Sequence, residues 1–414
     1  MTHKKTSSLN ITACQICNKE KLVPIIFLGF MPPVNQMGNI GSQLQEQAAY
    51  PTELLMCSEC NLVQLGLILH QKILFPLEYP YRSGTTKILC DNFLDLYLES
   101  QKLIKLDPND LVIDIGSNDG SLLANFQHKH KILGVEPTNV GELARKQNIP
   151  TLQNYFSKQL AKDILTNYGK AKIITAANVF AHIENVHEII DGISSLLEKT
   201  GVFISESHYL LDLINTLQYD TIYHEHLRYY SLNSLQYLFG MHNLEIFHAK
   251  KIPTHGGSIR VYAAKKGMYD KSADLKLLLQ QEPVGDKLLA KLQIFKNQVI
   301  LSKLKLHELF RTIKQENLKI FGISAPSRAS TLINYVGIDD GILDCVVEVS
   351  GSLKIGKYMP GTIIPVLEEQ ELYKIQPEYA LILSWHIADE LINKIRKNGY
   401  RGKFIVPLPE VYIK

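Results

Sequence analysis

Short apolar runs alternate with amphipathic stretches through the middle of the chain, from about residue 107 to residue 265. The runs at Leu111–Ile115, Ile132–Glu136, Ile173–Ala176 and Gly201–His208 have the length of buried strands. Segments with helical spacing separate them, and this alternation is typical of a parallel sheet with helices on both faces. The pattern therefore predicts an α/β domain in this region.

A long helical pattern and a second α/β unit follow. Apolar positions recur at steps of four and three from Leu288 to Ile313, with Ser302 interrupting the series, which predicts one long helix that bridges two lobes. A shorter helix is predicted at Ile88–Leu103, before the first strand. The C-terminal strands are predicted at Leu318–Ile323, Cys345–Glu348, Tyr379–Trp385 and Lys403–Val406.

Composition narrows the class of protein. The chain has 414 residues, of which 45% are hydrophobic and 21% charged, so a globular protein of two or three domains is expected. A net charge of +3 gives no argument for nucleic acid or a membrane surface as partner. The cationic residues at the start are not followed by the apolar core of a signal peptide, no apolar run has the length of a membrane span, and a cytoplasmic protein is expected. The expected units are 1–75, 76–270, 271–315 for the bridging helix, and 316–414.

Two Cys-x-x-Cys pairs lie close to the start of the chain. They are Cys14 with Cys17 and Cys57 with Cys60. Four thiolates satisfy tetrahedral Zn²⁺ and leave no open position for a substrate, so the pairs predict a structural zinc site that takes no part in the chemistry. The loop between the pairs is longer than the usual zinc-ribbon spacing, and unmetallated thiols or a redox pair are the alternatives.

The first strand of the α/β domain runs into a glycine-bearing turn, Asp-Ile-Gly-Ser-Asn-Asp-Gly, from Asp114 to Gly120. Gly116 and Gly120 let a ligand lie against backbone, and a helix is predicted to begin near Ser121. Glu136 places a carboxylate at the next strand end, where such sheets bind ribose hydroxyls. The spacing is not that of pyrophosphate binders. It resembles motif I of class I S-adenosylmethionine (SAM)-dependent methyltransferases, with an unoccupied strand, turn and helix as the alternative.

The most unusual polar stretch is Asp220–Ser231, which holds two histidines, a glutamate, three tyrosines and an arginine. His224 and His226 flank Glu225 directly, so they cannot share a helical face as the ligands of a His-Glu-x-x-His zinc site do. A histidine beside a carboxylate and a phenol suits general acid–base chemistry instead. A polar surface turn is the alternative interpretation.

Three more polar residues are candidates by position. His182 follows the Ile173–Ala176 strand at its ligand-facing carboxyl end, or else it caps the next helix. His255 precedes paired glycines that permit close backbone approach, and Arg260 beyond them is a candidate anion contact. A hairpin with a solvated arginine is the alternative for this segment.

Two loops add further candidates. The loop that contains Tyr79, Tyr81 and Arg82 either lines the entrance of a site or is a simple crossing between domains. The turn after the first C-terminal strand is similar to a phosphate-binding helix start, and Arg328 is its candidate cation. This turn lacks a full Gly-x-Gly-x-x-Gly pattern.

With these pieces placed, the chain resembles the sugar C-methyltransferases of deoxysugar biosynthesis over about residues 13–409. The matching motifs, each named by its first residue, are the two cysteine pairs, Tyr-x-Tyr-x-Ser-Gly at Tyr79, Asp-x-Gly-x-Asn-Asp-Gly at Asp114, Asn-Val-Phe-Ala-His at Asn178, Tyr-x-Glu-His at Tyr223, His-Gly-Gly-Ser-x-Arg at His255 and Lys-x-Gly-x-Tyr-x-Pro-Gly at Lys354. The resemblance implies a small zinc-binding domain, a central class I SAM methyltransferase Rossmann-like domain and a C-terminal Rossmann-like α/β domain. It also implies methyl transfer to a carbon, usually C3, of a nucleotide-linked 4-ketosugar.

The resemblance also assigns residues by position. The active-site residues that it implies are Tyr81, His182, Tyr223, Glu225 and His226. The C-terminal turn departs from the family pattern, because Ser324 replaces its second glycine, Arg328 its lysine and Glu348 its common aspartate.

These assignments suggest a mechanism. A carbon next to a ketone becomes nucleophilic when a base removes its proton, and the resulting enolate needs hydrogen-bond donors at its oxygen. We expect His226, oriented by Glu225, to be the base, Tyr223 and His182 to bind the keto oxygen, and Tyr81 to close the sugar pocket. The residues expected to hold the cofactor are Asp114, Gly116, Asn118, Gly120, Glu136 and Asn178. Those expected to contact the substrate are Tyr79, Arg82, His255, Arg260 and Arg328.

The expected partner is a dTDP- or GDP-linked 4-ketosugar, methylated at C3 or alternatively at C5, with neither nucleic acid nor a membrane involved. A monomer or a homodimer is expected. Two other classes stay open at this point. One is a non-catalytic nucleotide-binding adaptor that uses its zinc domain for partner contact. The other is a nicotinamide-dependent ketosugar oxidoreductase, which needs a dinucleotide fingerprint that neither α/β unit presents cleanly.

Overall fold

The computed structural model describes residues 8–43, 46–74, 84 and 87–414. The candidate residues Tyr79, Tyr81 and Arg82 lie outside these ranges, so their assignments stay predictions. The described strands form a two-stranded pair and three sheets of four, seven and six strands. Among the described residues, no helix combines the length and the apolar character that crossing a membrane requires.

The N-terminal region is a small antiparallel unit around the two cysteine pairs. Its elements are β1 (Leu9–Asn10), β2 (Leu22–Met31), β3 (Tyr50–Cys57), β4 (Val63–Leu65), β5 (Leu67–Ile68) and α1 (Gln71–Leu74). Strands β2, β3 and β4 pair in this order, and β1 pairs with β5. The fourth strand of the larger sheet pairs with β4 and comes from far along the chain.

The central region is a mostly parallel sheet of seven strands. The elements of the region are α2 (Lys87–Leu103), β6 (Leu111–Ile115), β7 (Lys131–Val135), α3 (Gly141–Lys146), β8 (Thr151–Leu152), α4 (Lys158–Tyr168), β9 (Ala171–Ala177), α5 (Val186–Leu196), β10 (Leu197–His208), α6 (Leu210–Asn215), β11 (Arg228–Tyr229), α7 (Leu232–Gly240), β12 (Leu244–Ile252) and β13 (Ser258–Lys265). The order of the strands in the sheet is β12-β13-β10-β9-β6-β7-β8. Strands β10, β9, β6, β7 and β8 run parallel, and β13 is antiparallel to both neighbours. The carboxyl ends of five strands therefore share one edge, as the α/β prediction requires.

The alternation of side chains along the strands explains why helices cover both faces of this sheet. Ile173 and Ile174 are neighbours on β9, so they point to opposite faces. Ile173 belongs to a buried cluster with Leu96 of α2 and with Phe126. Ile174 packs in the other cluster, with Ile190 of α5. Each such burial contributes about 1.5–3 kcal/mol, so the strand gains stability on both sides.

The helix predicted to begin near Ser121 is wrong in its extent. The chain there forms only a short 3₁₀ turn, Leu123–Asn125, with isolated turns after it. Leu122, Leu123 and Phe126 are buried, but the following residues through Lys131 are polar. A longer helix at this point would have no apolar face to bury.

The predicted long helix is confirmed. Helix α8 (Ala273–Gln281) precedes α9 (Asp286–Gln315), which packs against α6 and β2. Ser302 does not interrupt the apolar face, because it is itself buried in that face between Val299 and Leu306. A serine is small enough to let the neighbouring elements approach at that position.

The C-terminal region is a second, smaller parallel sheet. Its elements are β14 (Ile320–Ile323), α10 (Ser327–Val336), β15 (Cys345–Glu348), β16 (Val366–Glu368), α11 (Gln370–Ile375), β17 (Tyr379–Ile382), α12 (Ala388–Lys397), β18 (Lys403–Val406) and β19 (Tyr412–Ile413). The order of the strands in the sheet is β16-β15-β14-β17-β18-β19. Only β19 is antiparallel to its neighbour. The predicted strands are present, and the one expected to reach Trp385 ends earlier, at Ile382.

Candidate functional site

The two cysteine pairs come together in the N-terminal unit. The Sγ atoms of Cys14 and Cys60 are 3.4 Å apart and those of Cys17 and Cys57 are 3.5 Å apart. All four Sγ atoms lie within 4.8 Å of one another. Tetrahedral coordination with Zn–S bonds of about 2.3 Å needs sulfur–sulfur distances of roughly 3.8 Å, so the four thiols fit a closed zinc site. Among the described residues, no other cluster of this kind occurs.

The glycine-bearing turn after β6 has the backbone that the motif predicts. Gly116 and Gly120 have φ values of +73° and +82°, in the left-handed region that favours glycine. A Cβ on Gly116 would collide with the side chain of Val179, and one on Gly120 would lie 2.7 Å from the Ile149 side chain. The space at both glycines is therefore filled by protein, so packing requires them in addition to any ligand approach.

Glu136 lies at the end of β7, beside the turn. One of its carboxylate oxygens accepts the backbone N–H of Asn118 at 3.0 Å, and the other accepts the N–H and hydroxyl of Thr138 at 2.9 and 2.6 Å. The carboxylate is thus fixed in orientation and retains acceptor capacity. This arrangement suits ribose hydroxyls, as the sequence predicts.

Asp114 and Asn178 complete this edge. Asp114 is fully buried on β6, and burial raises its pKa to about 7, although it accepts a hydrogen bond from Thr175. Asn178 follows β9 with φ +58°, and its buried Oδ1 has no partner among the described residues. A buried acceptor without a partner is costly, so Asn178 fits a role in receiving a donor from a bound cofactor.

The predicted acid–base stretch is buried and is not a surface turn. His224, Glu225 and His226 are at most 5% exposed. The ring of His226 lies 4.1 Å from that of Tyr223, 5.0 Å from that of His182 and 4.8 Å from that of His208, centroid to centroid. The candidates Tyr223, His182 and His226 therefore meet at the carboxyl ends of β9 and β10.

The tautomer of His226 follows from its partner. Nδ1 lies 2.8 Å from the carbonyl oxygen of Thr221. A carbonyl oxygen only accepts, so Nδ1 carries the proton and Nε2 keeps a lone pair. Burial and the nearby His182 lower the pKa of His226 well below its usual value, so the ring is neutral near pH 7.

The structure changes the expected role of Glu225. We expected its carboxylate to orient His226, but Thr221 holds the Nδ1 atom of that ring. Glu225 accepts a hydrogen bond of 2.7 Å from the side chain of Asn35, in the N-terminal unit. A carbonyl fixes the ring of His226 without lending it charge, which a carboxylate partner would have done.

Arg260 is not placed to bind a ligand anion. Its side chain is fully buried, and its guanidinium donates to Glu206 at 2.5 Å, Glu99 at 2.7 Å and Asp95 at 2.9 Å. These carboxylates lie on α2 and β10, so the arginine joins the helix to the sheet. The sequence suggested an exposed or anion-facing arginine because it does not reveal which acids are close in space.

Arg328 is likewise engaged within the protein. It forms a bidentate pair with Asp220, with N–O distances of 2.7 and 2.8 Å, and its guanidinium lies 4.9 Å from the Trp385 ring. Asp220 also accepts the indole N–H of Trp385 at 2.7 Å. The expected phosphate contact is therefore replaced by a buried ion pair that joins the C-terminal region to the Asp220–Ser231 stretch. Removing one partner from such a pair typically costs about 3–5 kcal/mol.

His255 lies beside the cluster and has an unusual backbone. Its φ is +57°, and its ring is 5.5 Å from that of His208. Its buried Nε2 has no partner among the described residues. The structure therefore supports His255 as a substrate contact more than it does Arg260 or Arg328.

Sequence reasoning missed three residues at this site. His208 lies at the end of β10 beside His226, Asp220 anchors Arg328, and Asn35 holds Glu225. His208 had a detectable signal, because it ends a predicted strand at the ligand-facing edge. Asp220 begins the polar stretch that the sequence singled out, but its pairing with Arg328 had no signal, and neither had Asn35, since their partners are distant in sequence.

The turn after β14 repeats one feature of the turn after β6. Ala325 donates its backbone N–H to the carboxylate of Glu348 at 2.8 Å, just as Asn118 donates to Glu136. Lys354 donates to the carbonyl of Ala325 at 2.6 Å. An acid at the end of the second strand therefore faces the turn after the first strand in both α/β units.

Comparisons with known proteins agree with this geometry. Three family models match: a zinc binding domain at residues 14–75, a methyltransferase domain at 82–249 and a C-methyltransferase C-terminal domain at 253–409. A C-methyltransferase, NovU, from Streptomyces niveus is 28% identical over 407 residues, which cover 97% of this chain and 96% of that protein.

Two solved structures each match less than half of the chain. A SAM-dependent methyltransferase from Anabaena variabilis has 15% identity and a TM-score of 0.35, and covers 45% of this chain and 88% of its own. Magnesium protoporphyrin IX methyltransferase from Synechocystis, with bound SAM, has 16% identity and a TM-score of 0.32, with coverages of 43% and 78%.

The family models account for the three regions in their order along the chain. The adaptor and the oxidoreductase considered above gain no support from them. The buried acid–base cluster is also a feature that an adaptor does not need. The chain is therefore similar, over nearly its whole length, to a C-methyltransferase, and its three regions match models of a zinc binding domain, a methyltransferase domain and a C-methyltransferase C-terminal domain.

Proposed function

We propose that the chain methylates the carbon next to the ketone of a nucleotide-linked 4-keto-deoxysugar, at C3, in the biosynthesis of a branched-chain sugar. The observation that carries this proposal is the buried, neutral His226, whose Nδ1 is held by Thr221. Carbon has no lone pair with which to attack a methyl donor. It needs a base for its proton, whereas many oxygen and nitrogen acceptors need only orientation.

Residues of this chain can perform each step at the substrate. SAM, when bound, supplies an electrophilic methyl group on its sulfur. Nε2 of His226 accepts the proton from the carbon, and the enolate charge develops on the former keto oxygen. Burial raises the pKa of Tyr223 well above its usual value, so its phenol keeps its proton and donates to that oxygen. His182, whose pKa burial lowers to about 4, stays neutral and is the second candidate donor.

The C-terminal turn supports a nucleotide-linked substrate. Glu348 lies where the second-strand acid of a Rossmann-like unit meets ribose hydroxyls. Helix α10 begins at Ser327, beside this acid, and Lys354 adds a cation. The hydroxyl of Ser327 also donates to Asn35, which holds Glu225. A nucleotide bound at this turn would thus direct its sugar toward the segment that carries Glu225 and His226.

The lowered pKa of His226 predicts an unusual pH dependence. A base is active in its neutral form, and a lowered pKa keeps that form populated below pH 6.5. We expect kcat/KM for the sugar to stay constant on the acid side until well below pH 6.5. A pH–rate profile, with folding checked at each pH, measures this. An acid limb with its midpoint at or above pH 6.5 would contradict the assignment.

The substrate proposal is tested with SAM labelled in its methyl group and a panel of dTDP- and GDP-linked 4-ketosugars. We expect label in one product, on the carbon next to the ketone, with its position assigned by NMR. The matching 4-ketosugar without its nucleotide is the control and should react far more slowly. Label on oxygen or nitrogen, or none with any member of the panel, would contradict the proposal.

Proton removal can be observed without methyl transfer. In D₂O, with S-adenosylhomocysteine in place of SAM, the enzyme should exchange the hydrogen next to the ketone for deuterium. The mass of the recovered sugar would rise by one unit. Turnover in the labelled assay without any exchange would show that removal of the proton waits for the methyl donor.

A further inference from the structure

The zinc-binding domain contacts the Asp220–Ser231 stretch, which carries His226, at several neighbouring residues. Strand β11 pairs with β4, and the N–H of Leu65 donates to the carbonyl of Leu227 at 3.0 Å. Nε2 of His224 lies 3.2 Å from the carbonyl of Pro51, to which it donates. His224 therefore faces the zinc-binding domain, whereas His226 faces the other histidines. His224 and His226 lie on either side of Glu225. The contacts of His224 and Leu227 with the zinc-binding domain therefore help to set the orientation of the His226 side chain.

Asn35 makes the contact to the residue between them. Its Nδ2 donates to Oε1 of Glu225 at 2.7 Å, and its Oδ1 accepts the hydroxyl of Ser327 at 3.1 Å. Both halves of the amide are used, and the Glu225 carboxylate, which only accepts, fixes the orientation of the amide. Asn35 thus joins three regions of the chain at one point.

Lys354 is a positively charged group close to the contact between Asn35 and Glu225. Burial lowers its pKa, while the carboxylates of Glu348 and Glu225 oppose that shift. The ammonium therefore lies within the electrostatic reach of Glu225. A neutral amide at residue 35 donates to Glu225 without adding a second charge, whereas a carboxylate there would repel it.

We propose that Asn35 is a positioning residue for methyl transfer, which fixes the Glu225 carboxylate and with it the stretch that carries His226. It acts through Glu225 and touches neither the carbon nor the methyl group. The proposal rests on the function proposed above for the kinetic test, while its structural test needs no substrate. A hydrogen bond to a charged group contributes enough that its loss changes an equilibrium by about 10- to 100-fold.

Asn35→Asp tests this with almost no change of size. The new carboxylate still accepts from Ser327 but no longer donates to Glu225. At pH 8 we expect kcat to fall about 10- to 100-fold, with SAM affinity and zinc content unchanged. Two carboxylates in contact take up a shared proton as the pH falls, and this proton restores the hydrogen bond. The deficit relative to the unmodified enzyme should therefore shrink at least about threefold between pH 8 and pH 6.

Asn39→Asp is the matched control, because Asn39 is exposed and lies in the same segment. It should leave kcat unchanged at both pH values. Asn35→Ala should show a deficit that does not recover in acid. Wild-type kcat for Asn35→Asp at pH 8, or a deficit equal at pH 6 and pH 8, would overturn the proposal.

Thermal unfolding separates this inference from the substrate proposal. Asn35→Asp should unfold at a lower temperature than the unmodified protein at pH 8, and the difference should narrow at pH 6. If the unmodified enzyme methylates no ketosugar, the proposed substrate is wrong, and the unfolding data still test the contact. An equal difference at both pH values would then overturn the role of Asn35.

Discussion

Replacing His226 by alanine is expected to lower kcat by about 100- to 10,000-fold, the usual contribution of a positioned base. The imidazole is buried, neutral and held through Nδ1, so no neighbouring group can take its place without moving. Affinity for SAM should stay within about twofold, because the cofactor edge around Asp114 and Glu136 lies on other strands. Steady-state kinetics and calorimetric titration with SAM measure the two effects.

His128→Ala is a suitable control, because His128 is an exposed histidine away from the cluster. It should leave kcat and SAM affinity unchanged. In the D₂O experiment, His226→Ala should exchange no deuterium into the sugar. Turnover close to that of the unmodified enzyme would show that another residue removes the proton.

Replacing Cys57 by serine is expected to have the largest effect on stability. A structural Zn²⁺ contributes about 10–16 kcal/mol in small domains, and three remaining thiols bind it far more weakly. We expect zinc content to fall from one to near zero per chain, and the N-terminal sheet to lose its fold. Because β4 of that sheet pairs with β11, activity should be lost as well.

Metal analysis, thermal unfolding and the labelled methyl assay follow these effects. Cys90→Ser is the matched control, because Cys90 is exposed and lies outside the four-cysteine cluster. It should retain zinc, stability and activity. Retention of one zinc per chain by Cys57→Ser would show that the metal lies elsewhere.

Much of the fold was predictable from the periodicity of apolar residues. The strand Leu111–Ile115 has its predicted bounds, and the long helix exceeds its predicted bounds by only two residues at each end. Both depend on local pattern, which the sequence contains in full. The helix expected near Ser121 failed because good spacing over a few residues does not supply a sufficient apolar face.

The site was predictable in its residue types but less so in its contacts. The sequence indicated His226, Tyr223 and His182, and the structure places the ring of His226 4.1 Å from that of Tyr223 and 5.0 Å from that of His182. It could not indicate that Thr221 holds His226, because a backbone carbonyl has no residue signature. Arg260 and Arg328 were assigned to ligands because the sequence does not reveal that carboxylates distant along the chain bind them in the fold.

The contact between Gln15 and Leu227 joins residues 212 positions apart. Contacts of such long range form late, because the chain between them must first become ordered. During synthesis, the first domain would leave the ribosome long before the strand that completes its sheet is made. Exchange of this domain between homologues should therefore be poorly tolerated. In a chimaera, the N-terminal domain of one homologue would pack against the His226 segment of another. Recombination within the family should therefore favour breakpoints that keep this domain and this segment from the same parent.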